Sequence, residues 1–595
     1  MTGNSDGSAR QRVRSRGTHS ALQPALQATL NEHPDVFIMA YLDDIHILGP
    51  PDKVRAAYDT IVPLLIAAGM ELNVPKSTVF CPDGACPEFD DVVDEAGTPM
   101  LGAVVPLPGV KVLGIPVGSD RWVADKCVEM ALAAGAILPK LARLDDPQVQ
   151  LLLLRFCAHP RFMHLVRGVP PHLLAHGALA HDNGIQECLQ EVAGNPYPLG
   201  EEAVALSQLP TRWGGLGLSS AQRLAPAGWL GSWAQVWGKM VVLFPAVRGM
   251  LPHLGALEDT EVGGHPLAAG LTAAMEDVRG ARARVVAALG IGHPVPESLR
   301  VPEAAPVWGG FGSSQPTRQK ELTNYQHGSD WLRLFEGANS SVRARLLSLS
   351  RDGATAHLNA LPSDGGFRMR PDAAVISLCL QLGVSIPLVR EVSAVGTGRC
   401  ACGDVVDGFG YHYLACNRRG MFTYRHDAVQ DVLYEMLRKV FGPASVKRTH
   451  TYHRSYSPRW RPDITVLNYD GRGRHLIIDV AIGFPCAPTY VEGAARVPLH
   501  TAAAVERRNV ETYGDVTPHR LVPFAVDVFG GLGAQARQLL QDCERRRQDR
   551  LGPELATATW STPTFASYWG QRIMVAMHGA QGFGLHGRAL EDYPQ

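Results

Sequence analysis

The sequence predicts an α+β multidomain chain, and three observations carry that expectation. At roughly 100–200 residues per domain, 595 residues imply three to five domains, with ample length for buried cores. A composition of 46% hydrophobic and 19% charged residues belongs to the globular class and excludes a disordered chain. Short β-rich apolar runs gather at residues 35–118 and again beyond 399, while Leu/Ala-rich stretches fill much of 122–300.

The same numbers limit the function classes. Lys+Arg is 56 and Asp+Glu is 57, a net charge of −1, so a nucleic-acid role has to rest on local patches. No uninterrupted apolar run approaches 18 residues, so no membrane span is expected. An apolar signal core is missing near Met1, so a nuclear or cytoplasmic location is expected. Lysine is scarce: there are nine, with none after Lys447. Oligomeric state is not legible.

Residues 1–20 are largely Gly, Ser and Arg with no apolar period and read as a disordered stub, the alternative being a transit-like or basic tail. Val36–Ala40 and Ile45–Leu48 are two strands around a polar tip that holds Asp43 and Asp44. Val54, Tyr58, Ile61, Val62, Leu65 and Ile66 fall on one face of a helix over Lys53–Gly69, which Gly69 ends. Glu71–Val79 and Val110–Val117 are expected strands. Residues 122–300 are expected to be mostly helical, and 301–322 and 361–371, rich in Pro, Gly and Ser, to be linkers. Val429, Leu433, Met436, Leu437 and Val440 form a helical stripe within 425–441, and 460–483 reads as two strands around an Asp-Gly turn. The expected divisions are 1–34, 35–120, 121–300, 301–371, 372–420, 421–545 and 546–595.

Three constellations carry chemistry. Asp43 and Asp44 are adjacent carboxylates at a hairpin tip. They repel unless a cation sits beside them, and rigid flanking strands would suit a divalent ion; an ordinary Asp-rich turn is the alternative. Cys400, Cys402, His412 and Cys416 lie within 17 residues and suit tetrahedral, structural Zn²⁺, the alternative being unrelated core residues. Asp463 opens one strand and Asp479 lies on the next, where facing carboxylates could share a Mg²⁺ that polarises a phosphodiester. Between Arg399 and Arg474 there are 13 Arg/Lys against 7 Asp/Glu, with Tyr411, Tyr452, Tyr456 and Trp460 interleaved. That pattern fits salt-sensitive DNA or RNA binding with stacking, or a solvated basic face.

FIMAYLDDIHIL, ELNVPKS and KVLGIPVG, in this order and rough spacing, resemble the palm of a reverse transcriptase. HSALQPAL (19–26) resembles the end of the preceding helix. LLLLRFCAHPRFMHLVRGVPP and LPTRWGGLGLSSAQ resemble the thumb-like segments of non-LTR retrotransposon enzymes, where the glycines of RWGGLGL serve a tight turn. The Cys-Cys-His-Cys set, Arg425-His426, Arg461-Pro462-Asp463 and Asp479-Val480 resemble the restriction-like PD-(D/E)xK endonuclease at the end of such proteins. The resemblance implies that Asp43 and Asp44 bind polymerase metals and that Asp463 and Asp479 bind the nuclease Mg²⁺. It implies that Arg425, His426 and Arg461 lie at nucleic acid. In an intact element the nuclease nicks DNA and the polymerase extends the nick on element RNA.

The chain departs from that pattern twice. The family's upstream metal-binding Asp has no counterpart among Asp6, Glu32 and Asp35, so an N-terminally truncated palm with no polymerase activity of its own is expected. The nuclease Lys is missing: position 481 is Ala, leaving Glu506, Arg507 and Arg508 on a predicted helix at 500–515, with Arg507 as the substitute. Arg can stabilise phosphorane charge but is no base at neutral pH. Glu435 is a candidate extra acid. The rival reading is an inactive zinc-containing nucleic-acid-binding protein.

Overall fold

The computed structural model describes residues 22–42, 44–70, 72–73, 77–82, 86–89, 108–244, 266–299, 319–394, 398–416, 418–448, 462–514, 518–551 and 561–593. Asp43, Arg461, Tyr452, Tyr456 and Trp460 lie outside them. The chain forms two compact units, Met1–Lys126 and Cys127–Gln595, and is α+β in architecture, with many helices and three small sheets among the described residues. Among those residues no single helix is long and apolar enough to cross a membrane.

In the first unit, β1 (Phe37–Tyr41) and β2 (Asp44–Leu48) pair antiparallel with Tyr41 opposite Asp44. Leu42 adopts a positive φ of 58°, as a tight hairpin demands of its central residues. Helix α1 (Pro51–Ala67) buries Ala57 and Ile61 and stops before Gly69, at φ 78°. A second hairpin joins β3 (Gly109–Val112) to β4 (Ile115–Gly118) through Leu113 and Gly114, both at positive φ. The strand expected at Glu71–Val79 does not form over its described residues; Ser77 instead folds back to donate to the Asn73 carbonyl from both its amide and its hydroxyl.

Helix α2 (Asp120–Gly135) leads into the second unit, whose first half is helical as expected. The long helices α3 (Pro171–Val192) and α4 (Ala221–Leu243) meet where Asp182 caps the next helix, accepting from Ser220 Oγ (2.6 Å) and the Ala221 amide (2.8 Å). α4, α5 (Pro266–Gly290) and α6 (Gln319–Gly337) bury Trp229, Leu230, Trp237, Leu271, Val278 and Tyr325 against one another. Part of the expected linker 301–322 is therefore helix from Gln319 onward, while 301–318 lies outside the described residues. The glycine-rich RWGGLGL stretch is a turn, with Gly214 and Gly217 at φ 90° and 74° and Trp213 fully buried.

The expected linker 361–371 is a packed loop. Buried Gln148 donates to the carbonyls of Ala360 and Phe367 and accepts from the Met369 amide, and Phe367 and Met369 are buried. Pro and Gly mark irregular backbone, but irregular backbone can still be buried when a side-chain amide satisfies it.

After α7 (Ser340–Leu349), α8 (Pro371–Leu382), α9 (Pro387–Ala394), α10 (Tyr411–Ala415) and α11 (Met421–Phe441) comes a four-stranded sheet. Its strands are β5 (Val446–Arg448), β6 (Ile464–Val466), β7 (Leu476–Gly483) and β8 (Arg520–Asp527), in that spatial order. β5–β6 and β6–β7 are antiparallel; β7–β8 is parallel, joined by the crossover helix α12 (His500–Tyr513). The helices α13 (Ala534–Leu551) and α14 (Phe565–Asp592) complete the unit. The stripe of α11 packs with Ile464, Val466, Ile478, Val480, Val522, Phe524, Leu539, Trp569, Ile573 and Met574 in one core. At about 1.5–3 kcal/mol per large apolar side chain, this burial holds the sheet's short strands in place.

Candidate metal centre and acidic site

Cys400 and Cys402 sit on a tight turn closed by an isolated Arg399–Val405 bridge and by Gly403 at φ 99°. His412 lies in the first turn of α10 and Cys416 is its C-cap residue. Asp407 caps that helix by accepting from the amides of Tyr411 (3.0 Å) and His412 (2.6 Å). The four ligand atoms lie within 4.8 Å of one another, and Cys402 Sγ is 3.3 Å from His412 Nε2. Tetrahedral ligands at about 2.0–2.3 Å from Zn²⁺ would be about 3.3–3.8 Å apart. Three soft sulfurs and one imidazole, converging so closely, could hold a metal such as zinc.

The sequence missed what lies behind this cluster. Arg588 of α14, 7% exposed, donates from one nitrogen to Cys400 Sγ (2.7 Å) and Cys416 Sγ (3.4 Å). Its other terminal nitrogen reaches the carbonyls of Cys416 and Arg418. Burial alone would raise the Cys416 thiol, but the Arg588 bonds outweigh it and hold the pKa below the usual thiol value. Tyr413, fully buried beneath the Arg588 guanidinium, donates to Asp592 (2.9 Å). The small knob has little core of its own and borrows Leu585 and Ala589 from α14. A helix far along the chain supplies these contacts, so no local spacing announces them.

The second cluster is acidic. Asp463 directly precedes β6, and its amide donates to the Ile478 carbonyl, which brings it beside Asp479 on β7. Asp463 Oδ2 accepts from the Val480 amide (2.6 Å) and from His426 Nε2 (3.0 Å). Gln430, one turn further along α11, donates to the Asp463 carbonyl (3.1 Å). Asp479 accepts from Asn509 Nδ2 (2.7 Å) and from the Tyr513 hydroxyl, both on α12. His426 also pairs with Asp427 (3.0 Å). Burial disfavours its charged form, but Asp463 and Asp427 outweigh that and raise its pKa to about 9. Burial, with the neighbouring Asp463 charge, pushes Asp479 up to about 6 against the bonds from Tyr513 and Asn509.

Four expectations are corrected here. Arg425 is 2% exposed and donates to the Leu414 carbonyl, so it faces the interior and not a nucleic acid. Arg507 is exposed and two residues from Asn509, about 200° round the helix from the face that meets Asp479. It is not brought to the two acids. Glu435 pairs with Arg572 (3.1 Å) and Lys439 (3.8 Å), nine residues past His426, and is not brought to the acids. Glu506 accepts from the Gln535 amide and fastens α13. Tyr411, expected as a stacking residue, meets the rings of Phe484 and Phe529 instead. His426 reaches the site, but on a carboxylate. Asn509, Tyr513 and Gln430 were not foreseen; the i, i+4 spacing of Asn509 and Tyr513 puts those two on one helix face, but no local signal relates that face to Asp479.

In the first unit Asp44 begins β2 and is exposed. Compared with protein-family models the chain finds no match, and no curated protein matches it.

Proposed function

We propose that the second unit carries a metal-dependent endonuclease of the restriction-like kind that accompanies non-LTR retrotransposon reverse transcriptases. On the same reading, the first unit belongs to the palm of such an enzyme. The observation that carries the proposal is the juxtaposition of Asp463 and Asp479 at neighbouring strands of a mixed sheet whose parallel pair is joined by a helix. The order of Cys/His cluster, α11, Pro-Asp strand and acidic strand supports it.

On this reading Asp463 and Asp479 would hold Mg²⁺, which when bound supplies Lewis-acid polarisation of a phosphodiester. Gln430, Asn509 and Tyr513 orient the two carboxylates through the bonds given above. His426 places a positive charge beside Asp463 up to about pH 9, lowering the repulsion between the acids when no ion is bound. Zn²⁺ in the Cys/His cluster would be structural, since protein fills all four positions.

A second reading, a nucleic-acid-binding protein without nuclease activity, is favoured by Ala481 at the Lys position and by Arg507 facing away. Nicking of supercoiled plasmid in Mg²⁺ or Mn²⁺ tests the choice. Nicking lost in Asp463→Ala and Asp479→Ala supports the nuclease; plasmid binding without nicking in wild type selects the second reading. Mg²⁺-dependent primer extension, lost in Asp43→Ala, would establish the polymerase side.

A further inference from the structure

The surface formed by α11, the edge strand β5 and the adjoining α13 carries arginines lying over aromatic rings. Arg438 (5.4 Å) and Arg448 (4.5 Å) both lie over Tyr434. Arg546 of α13 lies over Phe441 (4.6 Å), and Arg547 over Phe565 (5.3 Å). Arg448 also pairs with Asp431. Among the described residues no carboxylate pairs with Arg438, Arg546 or Arg547. Stacking on a ring holds a guanidinium flat and leaves its N–H edge free for an anion.

The surface has a direction. Register places Arg448 opposite Ile464, the residue after Asp463, so this end of β5 adjoins the acid pair. Gln430, Tyr434, Arg438 and Phe441 follow one another along the same side of the helix, and Gln430 itself bonds Asp463. At 1.5 Å per residue, the 15 residues from His426 to Phe441 span about 22 Å, roughly the length of six base pairs at about 3.4 Å each.

We propose that this surface is a phosphate track for duplex DNA leading to Asp463 and Asp479. Arg438, Arg546 and Arg547 contact backbone phosphates, and Arg448 stands where the track meets the acids. The proposal rests on the nuclease reading for the direction of the track, but its binding surface is separable from cleavage. The contacts are to phosphate, so the affinity they add is independent of sequence and falls with salt.

The test is fluorescence anisotropy of the full chain with a labelled 30-base-pair duplex over a series of salt concentrations. Wild type is compared with Arg438→Ala/Arg546→Ala/Arg547→Ala and with the corresponding triple Lys variant. Loss of three phosphate contacts should reduce the slope of log K against log salt by about 2.7 in the Ala variant. The Lys variant, which keeps the charges, should retain most of the slope and shows that the substituted surface still folds. An unchanged slope in the Ala variant overturns the track, even where wild-type nicking is normal. A slope lost equally in the Lys variant, with both variants melting at the wild-type temperature, also overturns it, because charge would not be the cause. A wild type that binds with the track-dependent slope yet never nicks overturns the nuclease reading and leaves the track standing. Single-stranded DNA of equal length bound with the same slope change overturns the duplex assignment.

Discussion

Acid should loosen the second unit through a stacked histidine pair, and the size of the effect follows from its geometry. His357 and His578 have ring centroids 3.8 Å apart, and both are buried. Ser377 Oγ lies 3.3 Å from His578 Nδ1, while His578 Nε2 has no hydrogen-bond partner. Burial pushes His578 down to about 3, and it drives His357 well below its usual value, with His578 adding to that effect. Both rings are thus neutral in the folded chain. Two charges at this separation would repel by about 4 kcal/mol at an effective dielectric of about 20. The sign follows from linkage: a depressed folded pKa gives stability that is complete above the unfolded value of about 6.5 and is lost as pH falls below it. Between pH 7 and 5 the unfolded chain gains about 2 kcal/mol per histidine, so the pair removes about 4 kcal/mol from a stability of about 5–15 kcal/mol. Urea unfolding at pH 7 and pH 5, followed by tryptophan fluorescence, measures this. His578→Gln should lose about 2 kcal/mol less than wild type over that interval. Other buried neutral histidines, His181 and His327, contribute equally to both proteins and cancel. An identical loss in variant and wild type would refute the argument.

Further outcomes are expected elsewhere. Titration of the reduced chain with Zn²⁺ should saturate at about one ion through the Cys/His cluster, and chelation should lower the melting temperature. Arg588→Ala should weaken that metal binding by about 10–100-fold, as the loss of an outer partner commonly does, read by competition with a chromogenic chelator. Leu433→Ala, fully buried against the sheet, should cost about 2–5 kcal/mol in urea unfolding. Tyr513→Phe removes a donor from Asp479 and should cost about 1–2 kcal/mol at pH 7.5, with little cost in an Asp479→Ala background, which has no acceptor; equal costs in both backgrounds would show that the bond is unimportant.

Local signals determined the elements that local physics controls. The period of Val429, Leu433, Met436, Leu437 and Val440 marks α11 because one face of a helix must be apolar to be buried. Apolar runs around a polar tip mark β1 and β2, and Cys-x-Cys followed by His and Cys marks the cluster of Cys400, Cys402, His412 and Cys416, because ligands for one ion must be close and few linkers are needed to gather them. Asp463 and Asp479 were legible as strand-borne acids, but their neighbours were not.

Only the tertiary structure decided which basic residues face solvent. Arg425 and His426 are adjacent, yet a 100° step round the helix buries the first and sets the second on Asp463. Likewise Arg507 and Asn509 share one amphipathic helix, and only the packing of α12 on β7 says which of them meets Asp479. The role of α14 was illegible for the same reason. Arg588 joins Cys400 across 188 positions, and no spacing rule relates residues whose proximity depends on the packing of an entire core.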